Sequence, residues 1–166
     1  MYGVGDRVMY GAHGVCRVSG TEERTIDRKK RIYLVLEPAV GASAKYYVPT
    51  FNETAMAKLS PILTQNELEG LLSSPEVRDA YWIPDENRRK QSYRELITSG
   101  DRTRLVRAIY TLYRHRDRQS AAGRKVHICD ENFLHDAERV VTGEIELILG
   151  MDSRTAREYL QQKLSV

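Results

Sequence analysis

The sequence predicts an α+β protein in two parts: a small SH3-like or Tudor-like β-barrel over residues 1–58 and an all-α helical bundle over residues 59–166. Three observations carry this. Short β-branched and aromatic segments in the first half are punctuated by glycine and proline. The hydrophobic period then changes to the helical one near Lys58 to Pro61. Beyond that point, capping residues recur in front of amphipathic stretches.

The first strand is expected at Arg7-Val8-Met9-Tyr10, broken by Gly11-Ala12-His13-Gly14. Val15-Cys16-Arg17-Val18 follows, and Glu23 to Lys30 reads as a charged strand end and a hairpin turn. Arg31 to Leu36 forms another strand, ended at Pro38 because proline lacks the N–H a ladder needs. Gly41-Ala42-Ser43 is a loop, and Ala44 to Pro49 a last strand. In the second half, Thr64-Gln65-Asn66-Glu67 has the form of a capping box, with Leu68, Leu71 and Leu72 on one face. Ser74-Pro75 marks a second helix start. A helix is expected over Glu86–Ile97 with Tyr93, Leu96 and Ile97 apolar. Another follows from Arg102 to Gly123 on the stripe Leu105, Val106, Ile109, Leu112, Tyr113. Asp130 is expected to cap the next, which Gly150 stops, and Asp152-Ser153 to cap the last.

Composition narrows the function classes. No apolar run approaches the ~20 residues of a membrane span. Met1 to Asp6 lacks a basic segment followed by an apolar one, so a cytoplasmic location is expected. Cys16 and Cys129 are too few and too far apart for a disulfide framework or a cysteine-rich zinc site. The formal net charge of +3 conceals a pattern, because residues 85–126 carry +7 while residues 127–166 carry −4. Such clustering fits either a polyanion partner or a solvated helix face.

An enzyme would need a convergent polar constellation, and none is legible. His13 with Cys16 lies in a turn and strand with no third partner, and reads as a turn histidine and a buried thiol. His127-Ile128-Cys129 would leave zinc two ligands short. Gly-rich phosphate loops, Gly-x-Ser-x-Gly and His-Glu-x-x-His are missing from the sequence. Accordingly no catalytic residue, metal site or cofactor is expected.

The basic block is more informative. Asn87-Arg88-Arg89-Lys90 opens a helix, where free amides and the dipole favour an anion and arginine offers a planar fork to phosphate. Trp82 lies just before it, and is either a base-stacking or groove-edge wedge or a structural anchor, the reading favoured by tryptophan's general habits. Arg102, Arg104, Arg107, Arg114, Arg116, Arg118, Arg124 and Lys125 extend the basic surface, several of them only solvating their helix.

Val4-Gly5-Asp6-Arg7-Val8-Met9-Tyr10-Gly11-Ala12-His13-Gly14-Val15 resembles the opening of the CarD/CdnL transcription regulators. Tyr33-Leu34-Val35-Leu36, Tyr47-Val48-Pro49, Asn87-Arg88-Arg89, Ser99-Gly100-Asp101 and Gly143-Glu144 then fall in that family's order. Transcription-repair coupling factors share the opening motif, but the helical half, without helicase motifs, favours the stand-alone regulators. The resemblance implies an N-terminal domain that docks on the β subunit of bacterial RNA polymerase by strand pairing and charged contacts. It implies a helical domain that holds promoter DNA near the −10 element and stabilises the open complex. Carried onto this chain, Arg24, Lys45 and Tyr47 would face polymerase, and Trp82, Arg88, Arg89 and Lys90 would face DNA. Two positions depart from the family. Trp82 precedes Asn87 by five residues instead of adjoining it, and a basic family position falls near Asp130-Glu131, which would repel phosphate. DNA binding is therefore expected to be weak, sequence-tolerant and polymerase-assisted, with the protein a monomer. The alternative expectation is an adaptor that binds polymerase or another partner without touching DNA.

Overall fold

A computed structural model describes residues 2–41 and 43–165; Ala42, assigned above to a loop, lies outside the described residues. It shows the expected α+β class. The first half is one antiparallel sheet of five strands: β1 (Arg7–Tyr10), β2 (Val15–Ile26), β3 (Lys29–Pro38), β4 (Tyr46–Pro49) and β5 (Leu59–Pro61). The strand order is β4-β3-β2-β1-β5, so β4 and β5 are its edges.

Strands β2 and β3 make a long hairpin, paired from Cys16 opposite Pro38 to Ile26 opposite Lys29. Its tip is a two-residue turn, Asp27-Arg28, with φ of 51° and 62°. Both residues are left-handed, which matches the strand twist. The ladder slips between Val18 and Gly20, the signature of a bulge that bends the strand. Inward residues alternate along the strands and collect Val8, Cys16, Val18, Leu34, Leu36 and Val48 into a small core. The sheet runs to Pro61 because β5, which sequence patterning did not single out, pairs with β1.

The helical half comprises α2 (Gln65–Ser73), α3 (Glu86–Ser99), α4 (Arg102–Ala121), α5 (Ile128–Leu149) and α6 (Ser153–Lys163), preceded within the sheet region by the single turn α1 (Glu53–Met56). The caps explain most boundaries. Thr64 and Glu67 form the expected capping box, and Asp101 and Asp152 accept the backbone N–H of Arg104 and Thr155 at 3.1 and 2.7 Å. Gly100 and Gly150 end α3 and α5 in the left-handed conformation. Pro75–Arg78 forms a 3-10 turn where a second helix was expected. Asp130 does not cap α5: His127 occupies that position, and Asp130 lies inside the first turn with its side chain turned inward.

Adjacent residues of β1 face opposite ways, so Val8 fills the sheet core and Met9 enters the helical core with Leu68, Leu96 and Ile109. The segment joining the halves is clamped. Arg102 makes a bidentate pair with Glu144 at 2.8 Å for both bonds and also donates to Ser60 Oγ and Pro61 O. Glu144 Oε1 in turn accepts the Leu63 amide at 2.9 Å.

Candidate functional site

Two regions hold the residues singled out above. The first is the β4 edge of the sheet. Arg24 stands near the end of β2, opposite Arg31, and its guanidinium lies 3.9 Å from the Tyr47 ring centroid. Glu22 Oε1 accepts the Arg24 Nε–H at 2.9 Å, and this bond raises the arginine's pKa further. The exposed Arg24 and the half-buried Tyr47 thus form one cationic and aromatic patch. Lys45 is exposed and immediately precedes β4, outside the strand on which it was expected. Ile26 and Ile32 stay about half exposed near the hairpin tip. Phe51, also exposed, stacks edge-on to Tyr33 and lies under Arg31. Among the described residues no strand covers the outer edge of β4, although Pro49 has no N–H to offer and its carbonyl accepts the Asn52 amide at 3.2 Å.

The second region surrounds the start of α3. Asp85 accepts the backbone N–H of Arg88 at 2.8 Å, so a carboxylate already occupies the anion position at this helix end. The four candidates there separate sharply. Arg88 is exposed, and among the described residues its guanidinium has no ion pair or hydrogen bond. Lys90 pairs with Glu86 one turn earlier at 2.7 Å, with both side chains about 40% exposed. An exposed pair of this kind is weak and exchanges readily with water or another anion.

Arg89 corrects the expectation placed on it. It is 5% exposed, and its Nε and Nη2 form a fork on the two oxygens of Asp130 at 2.8 and 3.1 Å. Its Nη1 donates to the carbonyl of Ile83. Burial opposes the arginine's charge, but the Asp130 hydrogen bonds and charge outweigh it and leave the pKa raised. Asp130 also accepts the Tyr93 hydroxyl at 2.6 Å, and burial with this bond drives the phenol's pKa far up. A guanidinium held this way has no face left for phosphate. The same pairing revises the expected repulsion at Asp130-Glu131, because the Asp130 charge is internal and neutralised while Glu131 alone is exposed.

Trp82 adopts the anchoring role. Its ring stacks on His115 at 3.7 Å and 13°, lies 4.3 Å from the Arg89 guanidinium and packs against the helical core. Burial, then the charges of Arg89 and Arg118, lowers the His115 pKa, with Asp130 opposing. The exposed aromatic here is its neighbour Tyr81, which is 66% exposed. The Tyr81 backbone N–H is fixed to Thr111 Oγ1 at 3.1 Å. Tyr81 borders a cleft of about 310 Å³ between α3 and α4, lined also by Ser92, Arg104 and Arg107. Arg107 is tied to Asp79, leaving Arg104 as the exposed cation of that rim. Sequence reasoning passed over Tyr81 because the rarer tryptophan beside it drew the weight.

Residues 2–60 match the family model described as the CarD-like/TRCF RID domain. The match covers the sheet as far as the start of β5 and, with it, the Arg24–Tyr47 patch.

Proposed function

We propose that this protein is a transcription regulator which binds the β subunit of bacterial RNA polymerase through its sheet and stabilises the promoter open complex through its helical half. The observation that carries the first part is the CarD-like/TRCF RID match over the strands that present Arg24, Tyr47 and the open β4 edge. Backbone pairing along an edge supplies affinity, and the neighbouring charge and ring supply register. Support for the second part is the basic central block, of which Arg88, Lys90 and Arg104 are exposed or only weakly paired. In this reading Tyr81 is the aromatic that meets the groove edge, and Trp82 with Arg89 is the rigid base that holds it.

DNA contact of this size is weak by itself. Tethering to polymerase raises its effective concentration without new contacts. A protein adaptor that leaves DNA untouched is the second reading. It is favoured by the internal engagement of Arg89 and Trp82.

One set of variants separates the two readings. Arg24→Glu is expected to weaken recovery of the β subunit in a pull-down. Arg88→Glu combined with Tyr81→Ala is expected to preserve that recovery and shorten open-complex lifetimes on a promoter. Added salt should weaken the wild-type effect steeply, as phosphate contacts require. Unchanged lifetimes in the double variant would establish the adaptor reading instead.

A further inference from the structure

The starts of α3 and α5 meet at a cluster of three metal-ligating side chains. Glu86 is the first residue of α3, His127 is the cap of α5 and Cys129 is the second residue of α5. One oxygen, one ring nitrogen and the sulfur of this trio lie within 4.8 Å of one another, with His127 Nε2 3.9 Å from Glu86 Oε2. The sequence places His127 and Cys129 together and leaves them two ligands short; the fold brings in Glu86 from 41 residues upstream of His127.

We propose that Glu86, His127 and Cys129 form a binding site for a zinc ion, completed by water, which fastens the beginning of α3 to the beginning of α5. The ligand set is one that zinc prefers: a thiolate, an imidazole and a carboxylate, with the fourth tetrahedral position open. Donors about 2.0–2.3 Å from a tetrahedral ion stand about 3.3–3.8 Å apart. The trio therefore needs a contraction of about 1.5 Å or less, within reach of the half-exposed Glu86 and exposed His127 side chains. Lys90 already holds Glu86 Oε1 at 2.7 Å and so leaves Oε2 turned to the histidine. On binding, the Cys129 S–H bond gives way to a Zn–S bond and the proton goes to solvent. One thiolate and one carboxylate then balance the charge of the ion.

The position gives the ion a structural consequence. The site adjoins the Arg89–Asp130 pair, so the ion would add a second tie between the same two helices, with Glu86 two residues before Arg88. Zinc binding does not depend on whether the helical half touches DNA. Cys16, the other thiol, is buried in the sheet core, and burial pushes its pKa up to about 11, so it is no competing ligand.

Cobalt(II) is the probe, because a cobalt–thiolate bond gives a charge-transfer band and tetrahedral coordination intensifies the visible bands. Titration of the reduced full-length protein is expected to saturate at one ion per chain, with zinc displacing cobalt. Cys129→Ser should abolish the charge-transfer band. His127→Ala should weaken affinity on the order of 10–100-fold or more. His135→Ala, on the exposed side of α5 and outside the cluster, should change neither. Absence of the band in the wild-type protein would overturn the site, as would its persistence in Cys129→Ser or an equal loss in His135→Ala.

Discussion

A buried charge must be paired, and at the scale of single residues this rule decides which of two adjacent arginines can act on a partner. Arg88 and Arg89 are indistinguishable in chemistry and separated only by the roughly 100° that one residue turns a helix. Arg89 lies on the same face as Tyr93, Leu96 and Ile97, spaced at four, seven and eight residues, and so it is carried into the interior. Arg88 is carried out to solvent. Breaking a buried pair leaves an uncompensated charge, whereas replacing both members with apolar groups removes the penalty. Arg89→Met is therefore expected to cost about 3–5 kcal/mol of stability. The Arg89→Met, Asp130→Leu double variant should recover most of this loss, apart from the hydrogen bond Tyr93 loses. Urea unfolding of the two variants measures the difference. A double variant no more stable than the single one would show that packing, and not charge burial, sets the cost.

At the scale of elements, the joint between the halves is built from the first residue of α4, the C-terminal third of α5, and β5 with the segment that follows it. Glu144 is 3% exposed and serves three groups at once: both forks of Arg102 and the Leu63 amide. Glu144→Leu would leave Arg102 partly buried without a counter-charge and the Leu63 N–H without its acceptor. A loss of about 3–5 kcal/mol is expected. Hydrogen exchange of the Leu63 amide should also accelerate by far more than that of amides in the middle of α4. Uniform acceleration across the helices would show instead that the clamp holds the whole fold and not this joint.

These elements also show what local pattern can and cannot display. Helices α2, α3, α4 and α6 were legible because their caps and apolar stripes lie within a few residues of each other. Strand β5 is three residues ending in proline, and only its partner β1 makes it a strand. The Arg89–Asp130 pair joins residues 41 apart, so the cap-like look of Asp130 misled. The one local signal of this pairing is the place of Arg89 on the stripe of Tyr93 and Leu96. The patch on the sheet was readable only in part: Arg24 and Tyr47 lie on different strands, and their stacking depends on the register of β2, β3 and β4.

At the scale of the whole molecule, the two halves are held at a fixed relation by β1 and the 3-10 turn Gly11–His13 that follows it. Met9 is buried among helical residues, and the turn packs against α3 and α5. The His13 ring lies 4.1 Å from that of Tyr46, tilted by 32°, and burial followed by the charge of Arg139 on α5 lowers its pKa. Gly11 is the tightest point. Its φ is +45°, and a Cβ placed there would lie 3.1 Å from the carbonyl oxygen of Thr98 in the last turn of α3. A β-branched side chain meets both the backbone strain and the crowding, at a cost of about 1–3 kcal/mol. The least disruptive relief is for the helical half to shift away from the turn, since the strands of the sheet are held by their own ladder. Gly11→Val should then keep the polymerase contact, because the Arg24–Tyr47 contact is set by the pairing of β2, β3 and β4 with one another. It should shorten open-complex lifetimes, because Tyr81 and Arg88 would no longer be presented at the set distance from the docking edge. Pull-down and promoter lifetime measured on the same preparation test this. Equal loss of both activities would mean that Gly11 supports the sheet itself, and that the relation between the halves is not what limits action on the promoter.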